Sequence, residues 1–282
     1  MTPFNSILII GLGLIGGSLA KRIKKYHPDV SLFGTAPSTY TQQLAQSSGL
    51  FKGVYPHINE CPNDIDCVFV CTPIELISES IHAASNHIQS NCIFTDVGSI
   101  KKDIINSVSL SKQHHIFIPG HPMAGTEYTG FAASDESIFT NSTYILIDTV
   151  HNHERLSNFL QSLHVTLVET DADTHDKMIA LASHFPYVIT TLIMNLVSDL
   201  PEKDQAIFKS IMGPGFKDTT RIAASSPEWG HDVSLHNITH LNTLLDKFGT
   251  HLNTFQDLLN TNPNALQTFF KEMQQMKLLL KS

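Results

Sequence analysis

The sequence predicts an α/β protein in two parts, a doubly wound parallel sheet over residues 1–169 and an all-helical region over residues 170–282. Three observations predict it. Short β-branched runs alternate with helical or polar stretches through the first half, the pattern of strands joined by crossover helices. A glycine turn, Gly11-Leu12-Gly13-Leu14-Ile15-Gly16, links the first strand to the first helix. Beyond about residue 170 strand signal fades, and apolar residues recur at helical spacing.

The elements follow in order. Ile7–Ile10, Val30–Phe33, Asp66–Cys71, Cys92–Asp96 and Ile116–Ile118 read as parallel strands, and Thr143–Ile147 and Val165–Glu169 extend the same sheet. After the glycines, Leu14, Ile15, Leu19 and Ile23 form one helix face, with Lys21, Arg22, Lys24 and Lys25 on the outer face and last turn. From Met178 to Val197 the chain is apolar on most faces. That stretch has the length of a membrane span, but His184, Pro186, Asn195 and several threonines interrupt it, so it reads as a buried helix. A helical domain of ~110 residues offers such a helix few partners, which predicts packing against a second subunit, a homodimer through the C-terminal domain.

With 41% hydrophobic and 16% charged residues, 282 residues suffice for a large core. A formal charge of -8 gives no general attraction to nucleic acid or anionic lipid, so neither is an expected partner. The opening Met1-Thr2-Pro3-Phe4-Asn5-Ser6 lacks the basic and apolar segments of an export signal, and the expected location is the cytoplasm. Cys61, Cys67, Cys71 and Cys92 show no metal spacing and read as reduced core thiols. The 16 histidines include no His-Glu-x-x-His pattern, and His114-His115 and His151-x-His153 read as solvated turns, so no metal is expected.

Gly11-x-Gly13-x-x-Gly16 follows a strand and opens a helix, as a Rossmann-type dinucleotide fingerprint requires: backbone must approach the pyrophosphate, and the helix N-terminus must face it. Gly11, Gly13, Leu14, Ile15 and Gly16 are therefore expected on NAD or NADP. The acidic residue that holds an adenosine ribose belongs about twenty residues on, where the chain has Gly34-Thr35-Ala36-Pro37-Ser38-Thr39. No Asp or Glu occurs from Val30 through Asn59, and no Arg stands at this strand end to hold a 2′-phosphate. Thr35, Ser38 and Thr39 suit either cofactor, with a slight lean to tolerance of NADP.

Two further segments each follow a strand, where ligands of open sheets collect: Asp96-Val97-Gly98-Ser99-Ile100-Lys101, and Pro119-Gly120-His121-Pro122-Met123-Ala124-Gly125-Thr126-Glu127. With the glycine turn, Cys71-Thr72-Pro73, Thr174-His175-Asp176-Lys177-Met178, Ser183-His184-Phe185-Pro186 and Gly215-Phe216-Lys217-Asp218-Thr219-Thr220-Arg221-Ile222-Ala223, the chain resembles the prephenate and arogenate dehydrogenases of tyrosine biosynthesis. The motifs stand in the family's order over about residues 6 to 260.

The resemblance implies NAD(P)-dependent oxidative decarboxylation of prephenate to 4-hydroxyphenylpyruvate, of arogenate to tyrosine, or both. Hydride leaves the carbinol carbon of a cyclohexadienol, CO2 leaves, and a base takes the hydroxyl proton. Imidazole, with an ordinary pKa of about 6.5, suits that base. The resemblance assigns it to His121, held on a turn by Pro122. Ser99 resembles the family's serine beside that base; it equally suits an N-cap for a helix near Ile100. Thr72, Pro73 and Ser99 are implied at the cofactor, and Thr126, Glu127, Tyr187 and His175 at the substrate, Glu127 also suiting a helix cap. Arg221 matches the family's arginine for a carboxylate, and Lys217, one turn earlier, is expected on the same face. Trp229 is implied near the site, in this chain or across a dimer, or else as a core anchor. Tyr187 stands where many prephenate-using members have a second histidine, which leaves open a pyruvyl or an alanyl substrate side chain.

Two rival readings remain. A 3-hydroxyacid dehydrogenase of similar two-domain architecture would use Lys177 as its base. A non-enzymatic dinucleotide sensor would need the glycine turn alone.

Overall fold

The computed structural model describes residues 3–126, 128–148 and 153–280. A six-stranded parallel sheet has the order β3-β2-β1-β4-β5-β6, with β1 Ser6–Ile10, β2 Ser31–Thr35, β3 Gly53–Tyr55, β4 Cys67–Val70, β5 Ile93–Asp96 and β6 Ile116–Phe117. This is the doubly wound arrangement, and its strand order reverses between β1 and β4, where dinucleotides bind. Helices α1 Leu14–Tyr26, α2 Thr39–Ser47, α3 Ile74–His87 and α4 Lys102–Ser107 connect the strands. The sheet is buried on both faces: Ile7, Ile9, Cys67 and Phe69 pack with Leu19 and Ile23 of α1, while Leu8, Val68, Val70 and Phe94 pack with Ile77 and Ile81 of α3. β3 has no buried residue, which is why no apolar run announces it.

The expected continuation of this sheet to Glu169 is corrected. β7 Gly120–Pro122 turns the chain back, and β8 Thr143–Ile147 and β9 Thr166–Thr170 join it in a separate three-stranded sheet, β7 antiparallel and β9 parallel to β8. Helix α5 Glu154–Ser162 lies between β8 and β9. Arg22 belongs to this junction. It is 2% exposed, not on an outer face, because Glu136 binds its guanidinium at 2.7 Å and the Leu163 carbonyl accepts from Nε at 2.8 Å. His115 is likewise buried rather than solvated, its ring edge-on to Phe94. His114 is exposed, His153 is half-buried at the N-cap position of α5 without a side-chain capping bond, and His151 lies outside the described residues. All four cysteines are free, three of them buried.

Beyond β9 every element is helical: α6 Ala172–Ile179, a π-helical turn Ala180–His184, α7 Phe185–Ser198, α8 Glu202–Ile211, α9 Pro214–Thr220, a 3₁₀ turn Arg221–Ala224 and α10 Pro227–His236. Two compact units result, residues 1–237 and residues 238–282; the latter contains α11 Ile238–Thr261 and α12 Pro263–Leu279, whose Phe255, Phe269 and Phe270 rings meet one another. The apolar helix expected over 178–197 finds few partners within the chain itself. Within the chain Met178, Leu181, Leu192, Met194 and Leu196 are exposed, and Thr190 is the single buried residue of α7.

Candidate active site

The glycine turn fits a dinucleotide. Gly11 has φ +92°, and a Cβ there would lie 2.7 Å from the Cys71 carbonyl, so the ends of β1 and β4 approach this closely only around glycine. A Cβ on Gly16 would lie 2.1 Å from the Gly11 carbonyl oxygen. Gly13 is different: nothing stands within 4 Å of its missing Cβ, which leaves open space at the N-terminus of α1 for a pyrophosphate. Gly13, Leu14, Ile15, Thr72, Pro73 and Ser99 line a cleft of about 710 Å³. The Thr72 hydroxyl is buried with no hydrogen-bond partner, a polar atom suited to a ligand in that cleft. Thr35 is buried at the end of β2, where its carbonyl accepts from Gly11 N at 3.0 Å.

The opposite walls come from β7 and the helices. His121, Thr126, Tyr187, Arg221, Glu228, Trp229 and Asp232 all line the same cleft. His121 stands in strand β7, opposite Ile145 of β8, and not on a turn. Ser99 caps no helix, because α4 starts at Lys102 with Lys101 as its N-cap residue, and its hydroxyl is therefore left to the cleft. Trp229 lies at the cleft of its own chain, edge-on to Tyr187 at 5.2 Å and to His184 at 5.9 Å. Tyr187 packs on Gly230, where a Cβ would meet its hydroxyl at 2.3 Å.

Two expectations change. Lys217 is exposed on α9 and is absent from the cleft wall, because the chain passes from α9 into a 3₁₀ turn at Arg221 and the two side chains lose their common face. His175 does not reach the cleft; it is 1% exposed and stands behind His121 with both ring nitrogens engaged. Glu127 lies outside the described residues. Lys177, the base a 3-hydroxyacid dehydrogenase would need, is exposed on α6 and also off the cleft wall.

Sequence reasoning missed the buried polar layer beneath His121. His121 Nδ1 lies 2.9 Å from His175 Nε2, and His175 Nδ1 lies 2.7 Å from Asp176 Oδ1. Asp176 also accepts from the backbone N–H of Lys101 at 2.8 Å and of Lys102 at 2.9 Å, tying α6 to the start of α4. The Lys101 ammonium, fully buried, donates to the Asp96 carboxylate and, at 2.7 Å, to the Gly120 carbonyl. Asn237 donates to the Asp176 carbonyl at 2.8 Å and lies 3.2 Å from His184 Nδ1. Burial, reinforced by His175, Lys101 and His184, holds the His121 pKa well below its ordinary value. Burial likewise brings His184 down to about 4. Burial opposes ionisation of Asp176, but the bonds from His175 and the two backbone amides outweigh it and hold the carboxyl below the usual range. Only the adjacency of His175 to Asp176 hinted at this layer; its other partners lie up to 75 residues apart in sequence.

Among the described residues, Glu75, His231 and Asp232 place ligand atoms within 4.8 Å of one another. Glu75 and His231 are exposed, and such groups commonly stand together without an ion.

A dinucleotide turn at the strand-order switch, a neutral imidazole in a shared cleft and a facing guanidinium define the class as a nicotinamide-dependent dehydrogenase. Residues 19–169 match the nucleotide-binding domain of prephenate dehydrogenase, the glycine turn lying just before the matched segment, and residues 171–275 match its dimerization domain. The chain belongs to the prephenate dehydrogenase family. It is 30% identical to a cyclohexadienyl dehydrogenase of Zymomonas mobilis, over 100% of this chain and 98% of that one. The arogenate dehydrogenase structure from Synechocystis is 26% identical with a TM-score of 0.80, over 96% and 98% of the two chains. The Aquifex aeolicus prephenate dehydrogenase, solved with hydroxyphenyl propionate and NAD+, shares the fold with a TM-score of 0.88 at 24% identity, over 99% and 98%.

Proposed function

We propose that the chain oxidatively decarboxylates arogenate, prephenate or both with a nicotinamide cofactor, using His121 as the base. The observation that carries this reading is the position of His121: its Nδ1 is engaged behind it, so Nε2 is the nitrogen available to a ligand in the cleft that the glycine turn and Arg221 both line. Burial keeps that ring neutral, as a proton acceptor must be.

The cofactor, held by Gly11, Gly13, Leu14, Ile15, Gly16, Thr35, Thr72 and Pro73, supplies the hydride acceptor. Ser99 hydrogen-bonds the substrate hydroxyl or the nicotinamide. Arg221 pairs with a substrate carboxylate, to which a guanidinium can offer two parallel donors. Thr126 and Tyr187 bound the substrate, and Trp229 gives its ring an aromatic wall. Glu228 and Asp232 share that wall, and two carboxylates favour a side chain bearing an ammonium. Arogenate is therefore the preferred substrate. At the end of β2 neither a repelling carboxylate nor a cation stands, so both NAD and NADP are accepted.

The helix over Ala172–Ser198 is long and apolar enough to cross a membrane, but its buried His175, Asp176 and His184 bind partners of the chain's own sheet domain and loops. Its exposed apolar face is assigned to a homodimer, in keeping with the matched dimerization domain. A cytoplasmic enzyme follows from the same reading.

Absorbance of reduced nicotinamide, followed with prephenate or arogenate and with NAD or NADP, tests all of this in four combinations. Turnover establishes the reaction, and the ratios establish both preferences. Silence in all four with cofactor binding intact overturns the proposal. A monomer by light scattering at two concentrations overturns the dimer.

A further inference from the structure

We infer that His175 and Asp176 form, with His121, a two-step proton relay, in which the proton taken from the substrate hydroxyl displaces a second proton from His121 onto His175 beside the Asp176 carboxylate. The inference rests on the reading of His121 as the base. The polarity of the chain of bonds follows from its fixed end. Asp176 receives two backbone N–H groups and is an acceptor, so the bond of 2.7 Å to His175 Nδ1 requires a proton on that nitrogen. His175 Nε2 is then an acceptor, and the contact of 2.9 Å requires the proton on His121 Nδ1. Nε2 of His121 is left as a bare acceptor in the cleft, the tautomer that base catalysis needs.

The charge has no comfortable place on His121 itself. That ring is 7% exposed, touches His175 and lies within reach of the charge of Lys101 and of His184, with Asp96 bound to Lys101. A second imidazole touching a carboxylate is the better site for it. In balance, the substrate O–H proton passes to His121 Nε2 and the Nδ1 proton of His121 passes to His175 Nε2. Loss of that proton and of the carbinol hydride, which a bound nicotinamide would accept, makes a ring carbonyl; the C–C bond electrons of the departing carboxylate pass through the ring to its oxygen as CO2 is released, and the phenolate so formed takes the proton back through His121, with no net proton released. Until that return the imidazolium lies against Asp176, as in catalytic triads where the acid orients and stabilises rather than accepts.

His175→Gln and Asp176→Asn test the relay in the full-length enzyme, with thermal melting and cofactor affinity as folding controls. His175 is a positioning and relay residue off the cleft wall, so kcat falls roughly 10²-fold or more while KM for substrate and cofactor stays within about threefold. In Asp176→Asn the charged relay loses its counter-ion, and the acid limb of kcat moves to lower pH. Should Asp176→Asn fail to fold for want of its clamp on α4, His175→Gln alone decides. A His175→Gln enzyme with kcat and pH profile unchanged, beside an inactive His121→Ala, overturns the relay and leaves the base in place. An active His121→Ala overturns the underlying reading instead.

Discussion

Lys101→Met probes the buried ion pair beneath the site. Lys101 fills the space of a long apolar side chain and is fully buried, its ammonium bound to Asp96 and to the Gly120 carbonyl at 2.7 Å. Methionine keeps most of the volume and removes the charge, leaving the Asp96 carboxylate uncompensated. Breaking a buried pair in this way costs about 3–5 kcal/mol. Asp96 keeps two backbone donors, Gly98 N at 2.9 Å and Gly120 N at 3.2 Å, which places the expected loss at the low end, about 3 kcal/mol. For a chain of this size that is a fall of roughly 5 °C in Tm. Urea unfolding at fixed protomer concentration, without cofactor, measures it. The double variant Lys101→Met/Asp96→Asn recovers most of the loss, because no buried charge is then unpaired. A single-variant loss under about 1 kcal/mol, or a double variant as unstable as the sum of its parts, refutes the reasoning. The same substitution has a kinetic sign. The Lys101 charge is among the causes that depress the His121 pKa, so its removal moves the acid limb of kcat/KM to higher pH, opposite to Asp176→Asn.

Further outcomes follow from the same geometry. Gly16→Ala sets a methyl group against the Gly11 carbonyl, and cofactor Kd, read by fluorescence titration, rises at least about tenfold; unchanged binding contradicts the close approach. Arg221→Met removes a charge-assisted carboxylate pair, raising substrate KM on the order of 10–100-fold with cofactor affinity intact, and an unchanged KM removes Arg221 from the substrate site. His184, held at about 4 in the fold against an ordinary 6.5, binds its proton more readily when unfolded. Its contribution to stability is therefore complete above pH 6.5 and is lost as pH falls from 6.5 towards 4, by at most about 3 kcal/mol. His184→Gln should flatten that decline in urea unfolding at about pH 7 and pH 5, and an equally steep decline in the variant excludes His184 as its source.

The parallel sheet is legible because its strands are buried on both faces: in β4 Cys67–Val70 is unbroken apolar, in β5 the apolar or β-branched run reaches Thr95 before Asp96, and the needs of a pyrophosphate turn put glycine at Gly11 and Gly16, where a Cβ cannot fit. β7 is not legible. Gly120-His121-Pro122 has neither length nor alternation, and only pairing with β8 makes it a strand. That reversal is also why Thr143–Ile147 and Thr166–Thr170, whose strand character shows in the sequence, belong to a second sheet that the sequence does not announce. At the site, residues carried by motifs, His121, Ser99, Thr72 and Arg221, meet at one cleft. Residues that act through a partner do not show. The roles of Asp176 and Lys101 exist only because α6 is docked on the start of α4, and Lys217 leaves the cleft because i, i+4 spacing says nothing once a helix gives way to a 3₁₀ turn.

One helix segment ties these layers together. Along Ala172–Ser198, His175, Asp176, Ile179, Ala180 and His184 are buried, while Met178, Leu181, Leu192 and Leu196 are exposed. A regular helix turns about 100° per residue and would set His184 about 80° from Asp176. The π-helical turn Ala180–His184 turns less per residue and takes up most of that angle, so that Asn237 reaches the Asp176 carbonyl and His184 Nδ1 together. The same turn brings Ala182 and Ser183 to the cleft. The inner stripe is thus polar because it backs His121, the proposed base, and the outer stripe is apolar because the proposed dimer covers it. A sequence that must satisfy both demands on one helix is apolar on most faces yet broken by histidines, the feature that distinguishes it from a membrane span.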